Sequence, residues 1–344
     1  MTPTERKRIT KVFELAVKLR PEERHAFVER ECEGDDVLLK EVSSLLSEYG
    51  RLGDTATANQ DSAGDQSPRF PKRIGKYEIT GNLGSGGFGR VYRAKDPTFD
   101  RIVAIKVLNT PDDSDIVRRF RTEATTVANL HHKNIVTVHE FGEENGAPYL
   151  VMEFLDGTTL QELIDRNSLS LLEKLEIMSS VAEGLQYAHE RGVIHRDVKP
   201  ANIMRLKDGS VKIMDFGIAR IAKEASTRLT QAGFVIGTLH YMAPEQYNGT
   251  SDAMTDIFAY GVTFYELLTG RNPYSSPDAA VVMFRVTNTD PPSVLSVLPE
   301  CPEALDRIVR RTLARSREAR YSNLSDFVAD PMPILLELRR HHAG

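Results

Sequence analysis

Cysteine is scarce in this chain. Only Cys32 and Cys301 occur among 344 residues, and neither belongs to a Cys-x-x-Cys pair. This excludes a disulfide framework and reads as isolated thiols in a reducing, cytoplasmic setting. Long apolar runs are also missing. No segment approaches the roughly 18 consecutive apolar residues of a membrane span, so no membrane segment is expected. The first twenty residues carry Arg6, Lys7, Arg8, Lys11, Lys18 and Arg20 without the apolar stretch of a signal peptide. There is no excess of positive charge: 44 Lys and Arg stand against 49 Asp and Glu, a net charge of −5. That balance argues against a general nucleic-acid binder. No internal repeat is visible. What remains, 40% hydrophobic and 27% charged residues, is the composition of a globular protein long enough for two domains.

Residues 1–50 read as three short helices. Thr2-Pro3-Thr4-Glu5 is a capping box, followed by Ile9, Val12, Phe13 and Ala16 at helical spacing. Pro21 opens a second helix and Gly34 closes it. Asp35 or Asp36 caps a third, with the stripe Leu38, Val42, Leu45, Leu46 and Tyr49. Three helices of this size bury little alone, so they are expected to dock on the larger domain, a second copy or a partner. Residues 51–70 are small, polar and aperiodic, and the stretch 51–76 is read as a flexible linker.

Strand patterns begin at Tyr77. Tyr77–Leu83 and Arg90–Lys95 flank Gly84-Ser85-Gly86-Gly87-Phe88-Gly89. Without Cβ atoms, such a loop lets backbone N–H groups approach phosphate oxygens. Dinucleotide-binding turns share this glycine spacing, but here Val91 leads into a second strand and not a helix, which favours a glycine-rich flap. Val103-Ala104-Ile105-Lys106 then places a lysine inside an apolar strand, where it needs a partner. Ser114–Leu130 reads as a helix with Glu123 inside the stripe of Ile116, Phe120, Val127 and Leu130, and Glu123 is the candidate partner. Ile135–Glu140 and Tyr149–Phe154 complete the sheet. Ser170-Leu171-Leu172-Glu173 caps a long helix that runs to Gly192. The hairpin Ile203–Leu206 and Val211–Met214, over the turn Lys207-Asp208-Gly209-Ser210, is expected to bring Asn202 and Asp215 together.

The densest chemistry lies in His195-Arg196-Asp197-Val198-Lys199-Pro200-Ala201-Asn202, followed by Asp215-Phe216-Gly217. Asp197 can accept a proton, Lys199 can offset phosphate charge, and Asn202 and Asp215 offer oxygens to a hard cation. Singly, each is an ordinary turn or surface residue. Their order and spacing resemble the catalytic and metal-binding loops of the eukaryotic-type serine/threonine protein kinases of bacteria. The resemblance spans about residues 77–341. It includes Gly237-Thr238, Ala243-Pro244-Glu245, Asp256 with Gly261, and Arg320, which the resemblance implies pairs with Glu245, although the proline usual just before that arginine is absent.

The resemblance implies an α+β, bilobal fold. A five-stranded antiparallel small-lobe sheet with one helix (77–152) is joined by a hinge (153–156) to a mainly helical large lobe (157–341). It implies ATP and Mg²⁺ as cofactors and protein Ser/Thr hydroxyls as acceptors. Leu83, Gly84, Ser85, Gly86, Gly87, Phe88, Gly89, Arg90 and Val91 would cover the nucleotide. Ala104, Met152, Glu153, Leu155 and Met204 would line or contact the adenine slot. Lys106, held by Glu123, would grip the α- and β-phosphates. Asp197 would act on the substrate hydroxyl, with Lys199 and Thr238 beside it, and Asn202 and Asp215 would hold the metal. His195 is read as structural. Arg196 and Arg220 would bind a phosphate on Thr230, or on Thr227 or Ser226, with self-association during autophosphorylation in trans. A pseudokinase-like nucleotide-binding scaffold, a small-molecule kinase, and a chain whose first fifty residues carry the main function are the competing readings. The intact set of catalytic residues and the Ala243-Pro244-Glu245 segment speak against the first two.

Overall fold

The computed structural model describes residues 12, 16, 21–32, 35, 38–39, 42–43, 71–86, 89–108, 114–144, 146–216 and 239–342. The chain divides into two compact units. One comprises 1–64 with 274–291, the other 65–273 with 292–344.

The first unit is helical. Helix α1 spans Pro21–Glu31, and helical backbone recurs at Val12, Ala16, Leu38, Leu39, Val42 and Ser43. Pro21 stands at the first helical position, where its missing N–H costs nothing. Asp35 accepts the N–H of Leu38 at 3.0 Å, the expected N-cap. Three i, i+4 pairs, Val12/Ala16, Val28/Cys32 and Leu38/Val42, turn inward. Their common core includes Ala280, Val281 and Phe284 of the later helix Ala279–Asn288. Of the docking surfaces left open by the sequence, the structure selects this helix. Thr2–Glu5 and Leu45–Gly50 lie outside the described residues.

The second unit begins with an antiparallel sheet of β1 (Arg73–Ile74), β2 (Tyr77–Gly86), β3 (Gly89–Asp96), β4 (Arg101–Leu108), β5 (Val138–Glu144) and β6 (Ala147–Glu153), in the order β1-β2-β3-β4-β6-β5. The five expected strands are joined by a two-residue sixth, β1, from the stretch read as linker. Alternation buries Tyr92, Ala94, Val103, Ile105 and Val151 with Tyr77 and Tyr149 in one core. Strand β5 starts at Val138 and not at Ile135. Residues 134–136 pair instead with Ile213, whose N–H donates to Asn134 O at 2.8 Å and whose carbonyl accepts Val136 N–H at 3.0 Å. Helix α2 (Ser114–Ala128) buries Phe120, Ala124 and Val127.

After β7 (Gly157–Thr159) the chain is mainly helical. It continues with α3 (Leu160–Arg166) and α4 (Leu171–His189), then the hairpin β8 (Ile203–Leu206) and β9 (Val211–Ile213). Both helices start with a complete capping box, Thr159 with Glu162 and Ser170 with Glu173. Helix α5 (Ala253–Thr269) is buried along almost its whole length. Chain order then gives α6, the Ala279–Asn288 helix of the first unit, and α7 (Glu303–Thr312). The single final helix expected over 325–340 is instead two, α8 (Leu324–Ala329) and α9 (Met332–His342), because Pro331 interrupts the run.

Candidate active site

Helix α4 delivers the loop 195–202, and α5 holds it from below. The Asp256 carboxylate, in the first turn of α5, accepts the N–H groups of His195 at 2.7 Å and Arg196 at 2.8 Å. It also meets His189 Nε2 at 2.8 Å. These bonds support Arg196 in the left-handed region, φ 67°, a conformation that a non-glycine residue keeps only when its surroundings impose it. His195 is fully buried. Its Nδ1 accepts the N–H of Asp197 at 3.2 Å, so Nε2 is the nitrogen that donates to Met214 O at 2.8 Å. Its ring packs 4.4 Å from that of Phe216. Both nitrogens are used in holding the loop, as a structural role requires.

Asp197 is buried and held on two sides. Lys199 Nζ lies 2.8 Å from its Oδ2, and Asn202 Nδ2 donates to Oδ2 at 2.9 Å and to the Asp197 carbonyl at 2.8 Å. With its amide N–H groups spent there, Asn202 keeps its carboxamide oxygen for another ligand. Asn202 O accepts Met214 N–H at 2.8 Å, so the β8–β9 hairpin does bring Asn202 beside Asp215. One carboxylate and one carboxamide oxygen make a donor set suited to a hard cation such as Mg²⁺.

Lys106 lies at the centre of β4, paired in register with Val91 and Leu150, and is 8% exposed. Its Nζ sits 2.7 Å from Asp215 Oδ1, across 109 residues of sequence. Burial works against ionisation of Asp215. The Lys106 ammonium outweighs it, aided by Lys199, and the carboxyl is held below the usual carboxylate range. Asp215 also adopts a positive φ, 62°.

The Lys106–Glu123 pair expected from the sequence is not the pairing present. Lys106 holds Asp215, and Glu123 Oε1 lies 3.5 Å from Arg196 Nη1. Periodicity put Glu123 on the inward side of α2, beside Phe120, Ala124 and Val127, but could not say which cation meets it there. Arg196, expected to await a phosphate, therefore already holds a carboxylate.

In the glycine-rich loop, Gly84 pairs with Val91, Ser85 with Arg90 and Gly86 with Gly89. A Cβ on Gly89, at φ 146°, would collide with the Val107 carbonyl oxygen, so only glycine fits there. A Cβ on Gly84 would meet nothing within 4 Å, which leaves that backbone open to an incoming group, and Leu83 beside it is exposed. Ala104 pairs with Met152 across β4 and β6, both buried, while Met204 on β8 and Leu155 after β6 are partly covered. Gly87, Phe88, Thr238, Arg220, Ser226, Thr227 and Thr230 lie outside the described residues. Further along, Arg320 makes a two-pronged contact with Glu245, Nη1 to Oε1 at 2.6 Å and Nη2 to Oε2 at 2.9 Å. The missing proline does not disturb it, because the carbonyls of Ala314, Arg315 and Met254 also take the guanidinium. Two contributors escaped the sequence reading, His189 and Lys212. Lys212 carried the same signal as Lys106, a lysine between apolar residues of a strand.

A family model of the protein kinase domain matches residues 77–331. The chain is 38% identical over 261 residues to the probable serine/threonine-protein kinase PknB of Lactococcus lactis, covering 74% of this chain and 41% of that one. It is 38% identical over 264 residues to the serine/threonine-protein kinase PrkC of Bacillus subtilis, covering 75% and 40%. With the serine/threonine-protein kinase PknL of Mycobacterium tuberculosis the figures are 37% over 267 residues, 76% and 66%. The chain thus spans about two fifths of the length of the first two relatives. Among solved structures, the kinase domain of Mycobacterium tuberculosis PknI superposes with a TM-score of 0.60 at 29% identity, covering 75% of this chain and 96% of that one. Among the described residues no helix is long and apolar enough to cross a membrane.

Proposed function

This chain belongs to the protein kinase family, in its bacterial serine/threonine branch, and from that premise we propose that it transfers the γ-phosphoryl group of ATP to Ser and Thr hydroxyls of proteins. The observation that carries the reading is the approach of two groups from three separate stretches of sequence, Lys106 on Asp215 and Lys199 with Asn202 on Asp197, joined through the Met214 N–H on the Asn202 carbonyl.

Phosphoryl transfer needs placement and charge compensation more than covalent chemistry. Asp197, fixed by Lys199 and Asn202, orients the acceptor hydroxyl and takes its proton. Lys199 offsets charge on the moving group. The backbone of Gly84–Val91 covers the phosphates, and Lys106 binds the α- and β-phosphates. Asn202 and Asp215 would hold Mg²⁺, which when bound would neutralise phosphate charge. For Lys106 to turn to the phosphates with Glu123 behind it, both must exchange partners, Lys106 leaving Asp215 and Glu123 leaving Arg196. A phosphate on Thr230, Thr227 or Ser226 would favour that exchange by giving Arg196, with Arg220, a stronger anion.

Mass spectrometry after incubation with ATP and Mg²⁺, with a basic protein as acceptor, tests the reading. Phosphate on Ser or Thr is expected, falling by about 10³-fold in rate in Asp197→Asn. Binding of ATP with no transfer by the wild type would instead make the chain a nucleotide-binding scaffold. Thr230→Ala with undiminished activity would remove that residue from the regulation.

A further inference from the structure

A second lysine–carboxylate pair, half-buried, lies away from the reacting groups. Lys212, in the middle of β9, places Nζ 2.6 Å from Glu153 Oε1 at the end of β6 and 3.2 Å from the Ile135 carbonyl. Both side chains are largely covered, 14% and 27% exposed. The same Glu153 oxygen accepts Thr137 N–H at 2.7 Å, and the Glu153 N–H donates to Thr137 O at 2.9 Å. Asn134 closes the arrangement with its side-chain amide on Val211 O at 2.9 Å. Three segments are thereby stitched together: the approach to β5, the connection between the lobes, and the strand that ends just before Asp215.

Backbone hydrogen bonds between residues 134–136 and Ile213 already hold β9 in place. A partly covered ion pair adds little net stability to such a ladder. What the pair adds is a definite spacing. Lys212 stands on the strand Val211–Ile213, three positions before Asp215, and a shift of that strand along its length is passed to the residues that follow it. We propose that Lys212 and Glu153 are positioning residues for phosphoryl transfer. Their pair sets the distance between the inter-lobe backbone, where adenine is held, and the carboxylate that holds the metal. The inference rests on the transferase reading and deepens it. A misplacement of about 1 Å at reacting groups costs on the order of 10²-fold in rate, so a pair that only limits small shifts is expected to govern turnover more than affinity.

The test uses the full chain with Lys212→Met, Glu153→Gln, the double variant and Lys212→Arg. Steady-state kinetics in ATP and hydrogen exchange of the nucleotide-free protein are both measured. In Lys212→Met and in Glu153→Gln, kcat is expected to fall about tenfold while KM for ATP stays within about twofold. Exchange at 134–137 and 211–215 should quicken, and the double variant should be no slower than either single one. Lys212→Arg should recover most of the lost rate. Unchanged kcat in both single variants overturns the proposal. So does a raised KM at unchanged kcat, or a loss that Lys212→Arg does not recover. Should Lys212→Met fail to fold, Glu153→Gln decides alone, because its amide can still accept Thr137 N–H. A wild type that transfers no phosphate would overturn the transferase reading and the positioning role with it. Exchange in the variants would then report only whether the pair holds these segments.

Discussion

Two regions of the second unit use the same ingredients, an ammonium and a carboxylate, to different effect. In the loop 195–202, Asp197 and Lys199 come from adjacent turns of one segment and hold each other at 2.8 Å, with Asn202 and the Asp256 anchor fixing the rest. At the junction of β4 and α2, Lys106 and Glu123 sit on separate elements, and each holds another partner. The loop is held rigidly by its own sequence neighbours and one helix beneath it. There each charge is held by a partner from a distant stretch of sequence, Asp215 for Lys106 and Arg196 for Glu123. A pair set within one short segment and pairs set between separate elements differ in how far sequence neighbours fix the partner.

The largest effect that sharpens this contrast is expected at a pair with no competitor. Arg320 is wholly buried on Glu245, and Arg320→Ala would leave a covered carboxylate without its cation. Stability should fall by about 3–5 kcal/mol, read from denaturant unfolding. A loss below about 1 kcal/mol would mean that burial of this pair matters less than its geometry suggests.

Glu123→Ala probes the exchangeable pair. Its link to Arg196 is long and partly exposed, so the folded protein should lose less than about 1 kcal/mol. If the partner exchange is needed for turnover, kcat/KM should nevertheless fall by about 10²-fold. A loss of stability with activity retained would reverse the assignment and make Glu123 an anchor for Arg196.

The first unit supplies a different comparison, because its core joins the start of the chain to α6, far along the sequence. The two cysteines report the units separately. Cys32 is buried in the first and Cys301 in the second, where burial pushes its thiol up to about 11. Phe284→Asp should expose Cys32 to maleimide and leave Cys301 protected, as read by mass spectrometry of the labelled chain. Equal protection of Cys32 in variant and wild type would break the link between α6 and the N-terminal helices.

The smallest effect is expected with pH. The folded Asp215 carboxyl ionises below its unfolded range. Its pair with Lys106 therefore contributes fully above the ordinary carboxylate range and is lost as pH falls through the depressed value. Lys106→Met should flatten the acid limb of the stability profile. An acid limb equally steep in the variant would assign that limb to other carboxylates.

How far the site was legible follows from where its constraints lie. The catalytic loop could be read because its chemistry is packed into eight residues, and the Asn202–Asp215 approach because a short hairpin joins them. The Ser170–Glu173 capping box was legible because it needs only four residues, while the equivalent box at Thr159 and Glu162 went unread. The Glu245–Arg320 contact, 75 residues apart, was found through the family resemblance and not through any local pattern. Beyond reach were the partners of Lys106 and Glu123, the role of Lys212, the start of β5 and the helix on which the N-terminal stripe docks. In each case several side chains or surfaces satisfy the local rule equally well.

By itself, the sequence determined the order of elements, the candidate residues of the site and the faces that turn inward. Helix and strand periods, caps and turns act over a few residues and have few alternatives. Only the tertiary structure decided which cation meets which carboxylate, and which surface accepts the first helices. Those outcomes depend on distances between elements far apart in the chain, where desolvation and competing charges select one pairing among several of similar local quality.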